Sequence, residues 1–228
     1  LEKGAISGVD EVLEQLKDGV RRFQAEVYPQ RADMFTLAAS EKQAPHTLFI
    51  TCADSRVDPN LITSSETGEV FVTRNIGNMV PAYGEMLGGV SAVVEFAVGS
   101  LGVRHIVICG HTHCGAMQAL LAPETVDAMP TVKSWLRNAH AALSIAEALD
   151  GEIAARGGAH DLLKVLTEQN VLLQMRHLKT HPSVAAAMAR GKLTISGWIY
   201  SIGTGEVSVA EEGQNTFTPV GVGMPAGV

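Results

Sequence analysis

Cysteine is scarce in this chain: three residues in 228, an odd number. So small and odd a set makes a poor disulfide framework, and the thiols read as reduced, in a cytoplasm-like compartment. Positive charge is also short, with 17 Lys and Arg against 24 Asp and Glu and a formal net charge of -7. A phosphate backbone needs a basic face to displace its counterions, so nucleic acid is excluded as a partner. No apolar run approaches the roughly 20 residues of a membrane-spanning helix, which excludes a membrane-embedded role. No apolar h-region opens the chain, whose first residues read as an amphipathic helix rather than a secretory signal. Internal repeats, low-complexity tracts and linkers are missing as well.

What is present is a globular composition, 46% apolar and 18% charged, in a chain long enough for one substantial core. Val9, Leu13, Leu16, Val20, Phe23 and Val27 recur at three- and four-residue steps and predict a helix over 8–28, ended by Pro29. With a second short helix from Ala32 to Ser40, this forms an N-terminal helical arm over 1–40. The period then changes. Apolar runs rich in β-formers at 47–52, 70–73 and 105–109 lack alternation, which predicts parallel strands covered on both faces. Helices are expected at 88–99, 114–121, 131–149 and 160–179, with a short one from Pro182. A strand over 194–202 turns through Gly203-Thr204-Gly205 into 206–209 as a hairpin. The fold class is therefore α/β: a single domain over 1–228 with a central, mostly parallel sheet flanked by helices, a C-terminal hairpin and the N-terminal helical arm.

Two segments at predicted strand ends carry chemistry, Cys52-Ala53-Asp54-Ser55-Arg56 and Cys109-Gly110-His111-Thr112-His113-Cys114-Gly115. Ligands bind at the carboxyl ends of strands in open α/β sheets. Thiols and imidazole together make a soft donor set that selects zinc over magnesium or calcium. Cys52, His111 and Cys114 are the expected ligands, for one Zn2+ per chain. Three protein ligands leave a fourth tetrahedral position open, as in catalytic rather than structural sites. Cys109 lies inside the strand and reads as core, because an unliganded cysteine is commonly buried. His113 reads as an exposed loop residue, and His46, His105, His140, His160, His177 and His181 as surface or satisfied histidines. Asp54 and Arg56, two apart beside Cys52, can pair so that the guanidinium fork keeps the carboxylate ionised and oriented.

At these residues the chain resembles the β-class carbonic anhydrases, most closely their plant-type branch, which bacteria also possess. Both segments above match that family's zinc motifs. Arg74-Asn75-Ile76-Gly77-Asn78, Thr180-His181-Pro182-Ser183-Val184 and Gly197-Trp198-Ile199-Tyr200 extend the match over nearly the whole chain. The resemblance implies zinc-dependent, reversible hydration of CO2 to bicarbonate and a proton, by attack of zinc-bound hydroxide, with Asp54 and Arg56 acting on the reacting water. It also implies a substrate pocket made by Gln43, Phe71, Ile76, Phe96 and Gly115, completed in part by a neighbouring copy. Phe96 stands where the family often has Tyr. A homodimer or higher homo-oligomer follows, with the N-terminal helix packed on the partner. One branch of the family binds bicarbonate away from the metal through a tryptophan, an arginine and a tyrosine. Arg74 and Tyr200 match two of these, but Phe49 replaces the tryptophan and has no N–H to donate, which implies an open metal site with Asp54 bonded to Arg56. Two alternatives are a zinc hydrolase of carbon disulfide or carbonyl sulfide, and a non-catalytic zinc-stabilised regulatory domain.

Overall fold

The computed structural model describes residues 8–85, 88–155 and 161–221. The chain divides into two compact units, Leu1–Gln43 and Ala44–Val228. In the first, α1 (Val9–Arg22) runs into a wider turn at Phe23–Val27, a 3-10 turn at Tyr28–Arg31 and α2 (Ala32–Ser40). The regular helix therefore ends at Arg22, earlier than the apolar period suggests. Pro29 does not stop it but enters the 3-10 turn near its start, where a missing N–H does no harm. The rings of Phe23, Tyr28 and Phe35 close the bend, Tyr28 stacked on Phe35 at 5.3 Å. The stripe Leu13, Leu16, Val20, Phe23 and Val27 remains exposed in the single chain.

The second unit is built on a six-stranded sheet in the order β2-β1-β3-β4-β5-β6. Its strands are β1 (Thr47–Cys52), β2 (Val70–Asn75), β3 (His105–His111), β4 (Thr194–Tyr200), β5 (Val207–Glu211) and β6 (Thr218–Pro219). The first four pair in parallel, while β5 and β6 add on antiparallel, β5 through the expected hairpin. The two-residue β6 is too short to leave a sequence pattern. The connecting helices are α3 (Pro59–Thr63), α4 (Gly89–Phe96), α5 (Gly115–Leu121), α6 (Pro130–Leu136), α7 (His140–Ala155), α8 (Leu162–Leu178) and α9 (Pro182–Ala189). The single helix expected over 131–149 is broken by a 3-10 turn at Arg137–Ala139. That expected over 160–179 starts at Leu162, where the Asp161 carboxylate accepts from the Lys164 N–H at 3.0 Å, and His160 lies outside the described residues.

One face of the sheet presents Leu48, Ile50, Ile106, Ile108 and Ile195 to a core shared with α4, α8 and α9. The other carries Phe49, Val107 and Cys109, packed with Val70, Trp198 and Tyr200. Burial on both faces explains the unbroken apolar runs. Helix α8 lies very close to the sheet: a Cβ on Gly197 would stand 2.6 Å from Val171 Cγ1, and one on Gly110 would stand 2.8 Å from Val171 Cγ2. Those two glycines interrupt the strands because the helix needs the space. Among the described residues no helix is long and apolar enough to cross a membrane.

Candidate metal centre

Strands β1 and β3 are neighbours in register, Thr51 beside Cys109, so their carboxyl ends bring Cys52 and His111 to the same edge. The chain then turns through His113, whose φ of 56° lies in the left-handed region, and reaches Cys114 at the cap of α5. This reversal within three residues lets His111 and Cys114 converge. The ligand atoms of Cys52, His111 and Cys114 lie within 4.8 Å of one another, and all three residues are buried. The two sulfurs are 4.0 Å apart. His111 Nδ1 is 2.9 Å from the Thr112 carbonyl. A carbonyl only accepts, so Nδ1 carries the hydrogen and Nε2 is left as a lone pair. That Nε2 is buried without a hydrogen-bond partner among the described residues, an unusual state for a polar atom unless something else is to bind it.

The donors are electrostatically prepared. The contact between the Cys114 and Cys52 sulfurs holds the Cys52 thiol well below the ordinary thiol range against the opposing effect of burial. Backbone contacts from Gly77 and Asp54 act in the same direction. Cys114 is moved the opposite way by the same contact, and burial adds to that. Cys109 lies outside the group: it is fully buried, and burial pushes its thiol up to about 12. It is a neutral core side chain.

Beside the cluster, Arg56 donates from Nε to Asp54 Oδ1 at 2.9 Å and from Nη2 to Oδ2 at 2.7 Å. The Arg56 backbone N–H adds a third bond to Oδ1 at 3.0 Å. The guanidinium holds the Asp54 carboxyl far below the usual carboxylate range, despite the opposing desolvation. Asp54 Oδ2 stands 3.9 Å from His111 Nε2, on the open side of the cluster. Arg74 fixes the same loop from below, donating to the carbonyls of Cys52 and Asp54. Arg74 is thus committed to the backbone, and Phe49 is fully buried with its ring edge-on to Trp198 at 5.7 Å.

The expected pocket residues are partly brought together. Phe71 and Phe96 stand with ring centroids 6.1 Å apart beside the outermost strand, Phe71 half-buried and Phe96 exposed. Ile76 follows directly after β2 and is 43% exposed. Gly115 opens α5 and is exposed, and Gln43 is the exposed last residue of the first unit. Three residues that the sequence reading did not single out also converge nearby. Trp135 donates to the Ile76 carbonyl at 2.8 Å, Asn170 to the Gly77 carbonyl at 3.0 Å, and Gln174 accepts from the Val80 N–H at 2.8 Å. The one available signal was a pair of amide side chains, Asn170 and Gln174, flanking the apolar run Val171-Leu172-Leu173 of a helix.

A mostly parallel α/β sheet with two sulfurs, an imidazole and an arginine-held carboxylate at its strand ends defines a protein with a donor set that could hold a soft metal ion. Comparison with known proteins narrows this. A sequence profile of the family described as carbonic anhydrase matches residues 47–207. The carbonic anhydrase of Pseudomonas aeruginosa is 44% identical over 206 residues, covering 90% of each chain. Among solved structures, the β-carbonic anhydrase CcaA superimposes with a TM-score of 0.82 at 37% identity, covering 91% of each chain. One of two tetrameric β-carbonic anhydrases of Sordaria macrospora gives 0.74 at 27% identity, covering 89% of this chain and 98% of that one. The chain belongs to the carbonic anhydrase family, in its β class. It is an enzyme of CO2 hydration.

Proposed function

We propose that Cys52, His111 and Cys114 hold one zinc ion per chain, and that Asp54 and Arg56 serve the reacting water beside it. The convergence of three buried ligand atoms within 4.8 Å carries this reading. The donor set suits zinc: two sulfurs and an imidazole nitrogen with its lone pair free, leaving one tetrahedral position for water. When bound, zinc supplies the Lewis acidity that lets a water molecule lose its proton near neutrality.

The chain's own groups do the rest. Asp54, kept ionised by Arg56, can only accept a hydrogen bond, so it takes one from the water and turns the oxygen lone pair toward CO2. Its depressed pKa makes it a poor proton donor or acceptor at neutral pH. Orientation is therefore its role, not acid–base catalysis. Phe71, Ile76 and Phe96 offer apolar surface, which suits a small nonpolar substrate that makes no strong hydrogen bonds. Gly115 adds to the pocket in this reading.

The assembly we infer is a homodimer or a larger homo-oligomer. The exposed helical stripe from Leu13 to Val27, with Ile76 and Phe96 exposed beside an edge strand, supports it. So does the tetrameric state named for the Sordaria macrospora enzymes. Three free thiols support a cytoplasm-like compartment. The test is metal analysis and stopped-flow CO2 hydration on one preparation. The reading predicts one zinc per chain with activity proportional to zinc, and zinc-replete protein without hydration activity would refute it.

A further inference from the structure

At the end of the sheet opposite the metal cluster, two neighbouring turns are built alike. Leu101-Gly102-Val103-Arg104 leads from the wider turn Ala97–Leu101 into β3, and Arg190-Gly191-Lys192-Leu193 leads from α9 into β4. Gly102 has φ 68° and Gly191 φ 64°, so each glycine reverses the chain in the left-handed region where a helix ends. Val103 and Leu193 then turn inward and are buried. Strands β3 and β4 pair with His105 beside Thr194, and the Thr194 N–H donates to the Arg104 carbonyl at 3.1 Å. The two turns therefore lie side by side. They border a cavity of about 440 Å³, a size typical of small-molecule sites.

The charge on this cavity is of one sign. Arg104, Arg190 and Lys192 line it, and among the described residues no carboxylate does. All three cations are exposed, and none forms an ion pair among the described residues. Elsewhere Lys17, Arg21, Arg56, Lys133 and Lys179 each face a carboxylate. The chain has 24 acidic residues against 17 Lys and Arg, so a shortage of acids does not explain three unpaired cations around one hollow. Arg190 caps α9, where a cation suits the helix dipole. Arg104 has no such role, because it stands beyond the turn that ends at Leu101 and the effect fades within the last turn. The carbonyls at both helix ends, which would repel an anion, are occupied. Val103 N–H donates to the Ala97 carbonyl at 3.1 Å, Gly191 N–H to Met188 at 2.8 Å and Lys192 N–H to Ala187 at 3.0 Å.

Like charges around one hollow repel, and a bound anion reverses the sign of that interaction. Two guanidinium forks match the oxygens of a phosphate group, and a lysine adds a point charge. Val98, Val103 and Leu193 supply apolar surface on the same wall. We propose that this cavity is a binding site for a small phosphate-bearing anion. It is separate from the metal centre: Arg104 precedes β3 and His111 ends it, roughly 20 Å along the strand.

The test is isothermal titration of the zinc-loaded full chain with ADP and, separately, with inorganic phosphate. One anion per chain should bind. Tighter binding of ADP assigns the site to an organic phosphate that uses the apolar wall, and equal or tighter binding of inorganic phosphate assigns it to the free ion. Binding of neither overturns the proposal. Arg104→Gln and Arg190→Gln should each weaken binding about 10-fold, the loss of one charge-assisted contact. Lys133→Gln, which removes a cation on α6, should leave the affinity unchanged. Wild-type affinity in both arginine variants, or an equal loss in Lys133→Gln, would overturn the proposal. Amide chemical shifts of the unaltered holoprotein give a second measure that needs no variant. The amides of Gly102, Gly191 and Lys192 should move as the anion is added. Shifts confined to the surroundings of His111 and Cys114 would place the anion at the metal centre and overturn the proposal.

Discussion

Arg56 holds Asp54 by both carboxylate oxygens, Nε on Oδ1 at 2.9 Å and Nη2 on Oδ2 at 2.7 Å. The fork fixes the plane of the carboxylate as well as its charge, which a single ammonium could not do. Arg56→Lys and Asp54→Asn are therefore expected to lower kcat for CO2 hydration by about 100-fold, the loss that misplacing a reacting group by about 1 Å can produce. Zinc content should stay near one per chain in both. Wild-type kcat in either variant would remove the dyad from the mechanism.

The cysteines divide by environment. Cys52→Ala, His111→Ala and Cys114→Ala should each lose zinc, because two remaining protein ligands do not define the site. Cys109→Ala should retain it and lose about 1 kcal/mol of unfolding free energy, as a small core truncation does. Metal analysis beside urea unfolding separates the two groups, and zinc loss in the Cys109 variant would mean that the ligand set is wrong.

His105 supplies a pH dependence away from the metal. Its ring lies between Thr194 Oγ1 at 2.6 Å and Ser196 Oγ at 2.8 Å, and burial lowers its pKa. The unfolded chain, with a histidine pKa of about 6.5, then binds the proton more readily than the folded one. The stability His105 provides is complete above that pKa and declines as pH falls through the lower folded value. His105→Gln keeps the hydroxyl partners and removes the titration. Its denaturant midpoint should fall less than the wild type's between neutral and mildly acidic pH, and parallel curves would contradict this.

How much of this the sequence carried depended on how local each signal was. The runs that became β1, β3 and β4 were legible because strands covered on both faces cannot alternate. Cys52, His111 and Cys114 were legible because each lies within a few residues of a strand end, where a short motif suffices. The break at Arg137–Ala139 was not legible, since the apolar period of 131–149 passes through it unchanged. Nor does a proline mark the end of α1: the helix leaves its regular geometry six residues before Tyr28-Pro29, where the rings of Phe23, Tyr28 and Phe35 meet. Trp135 and Asn170 escaped notice for a different reason. They reach the turn after β2 across separations of 59 and 93 residues, and only tertiary packing makes those contacts. A polar residue in a buried helix is a hint of such a contact, but the sequence does not name its partner.

The most direct measurement of the central claim is stopped-flow CO2 hydration on the full chain as zinc is removed and restored, with bound zinc quantified in every sample. The account predicts that activity rises in proportion to bound zinc and levels off at one ion per chain, and that Cys114→Ala neither binds the ion nor turns over CO2. Hydration that persists in the metal-free chain, or a fully loaded chain that fails to hydrate CO2, would contradict it.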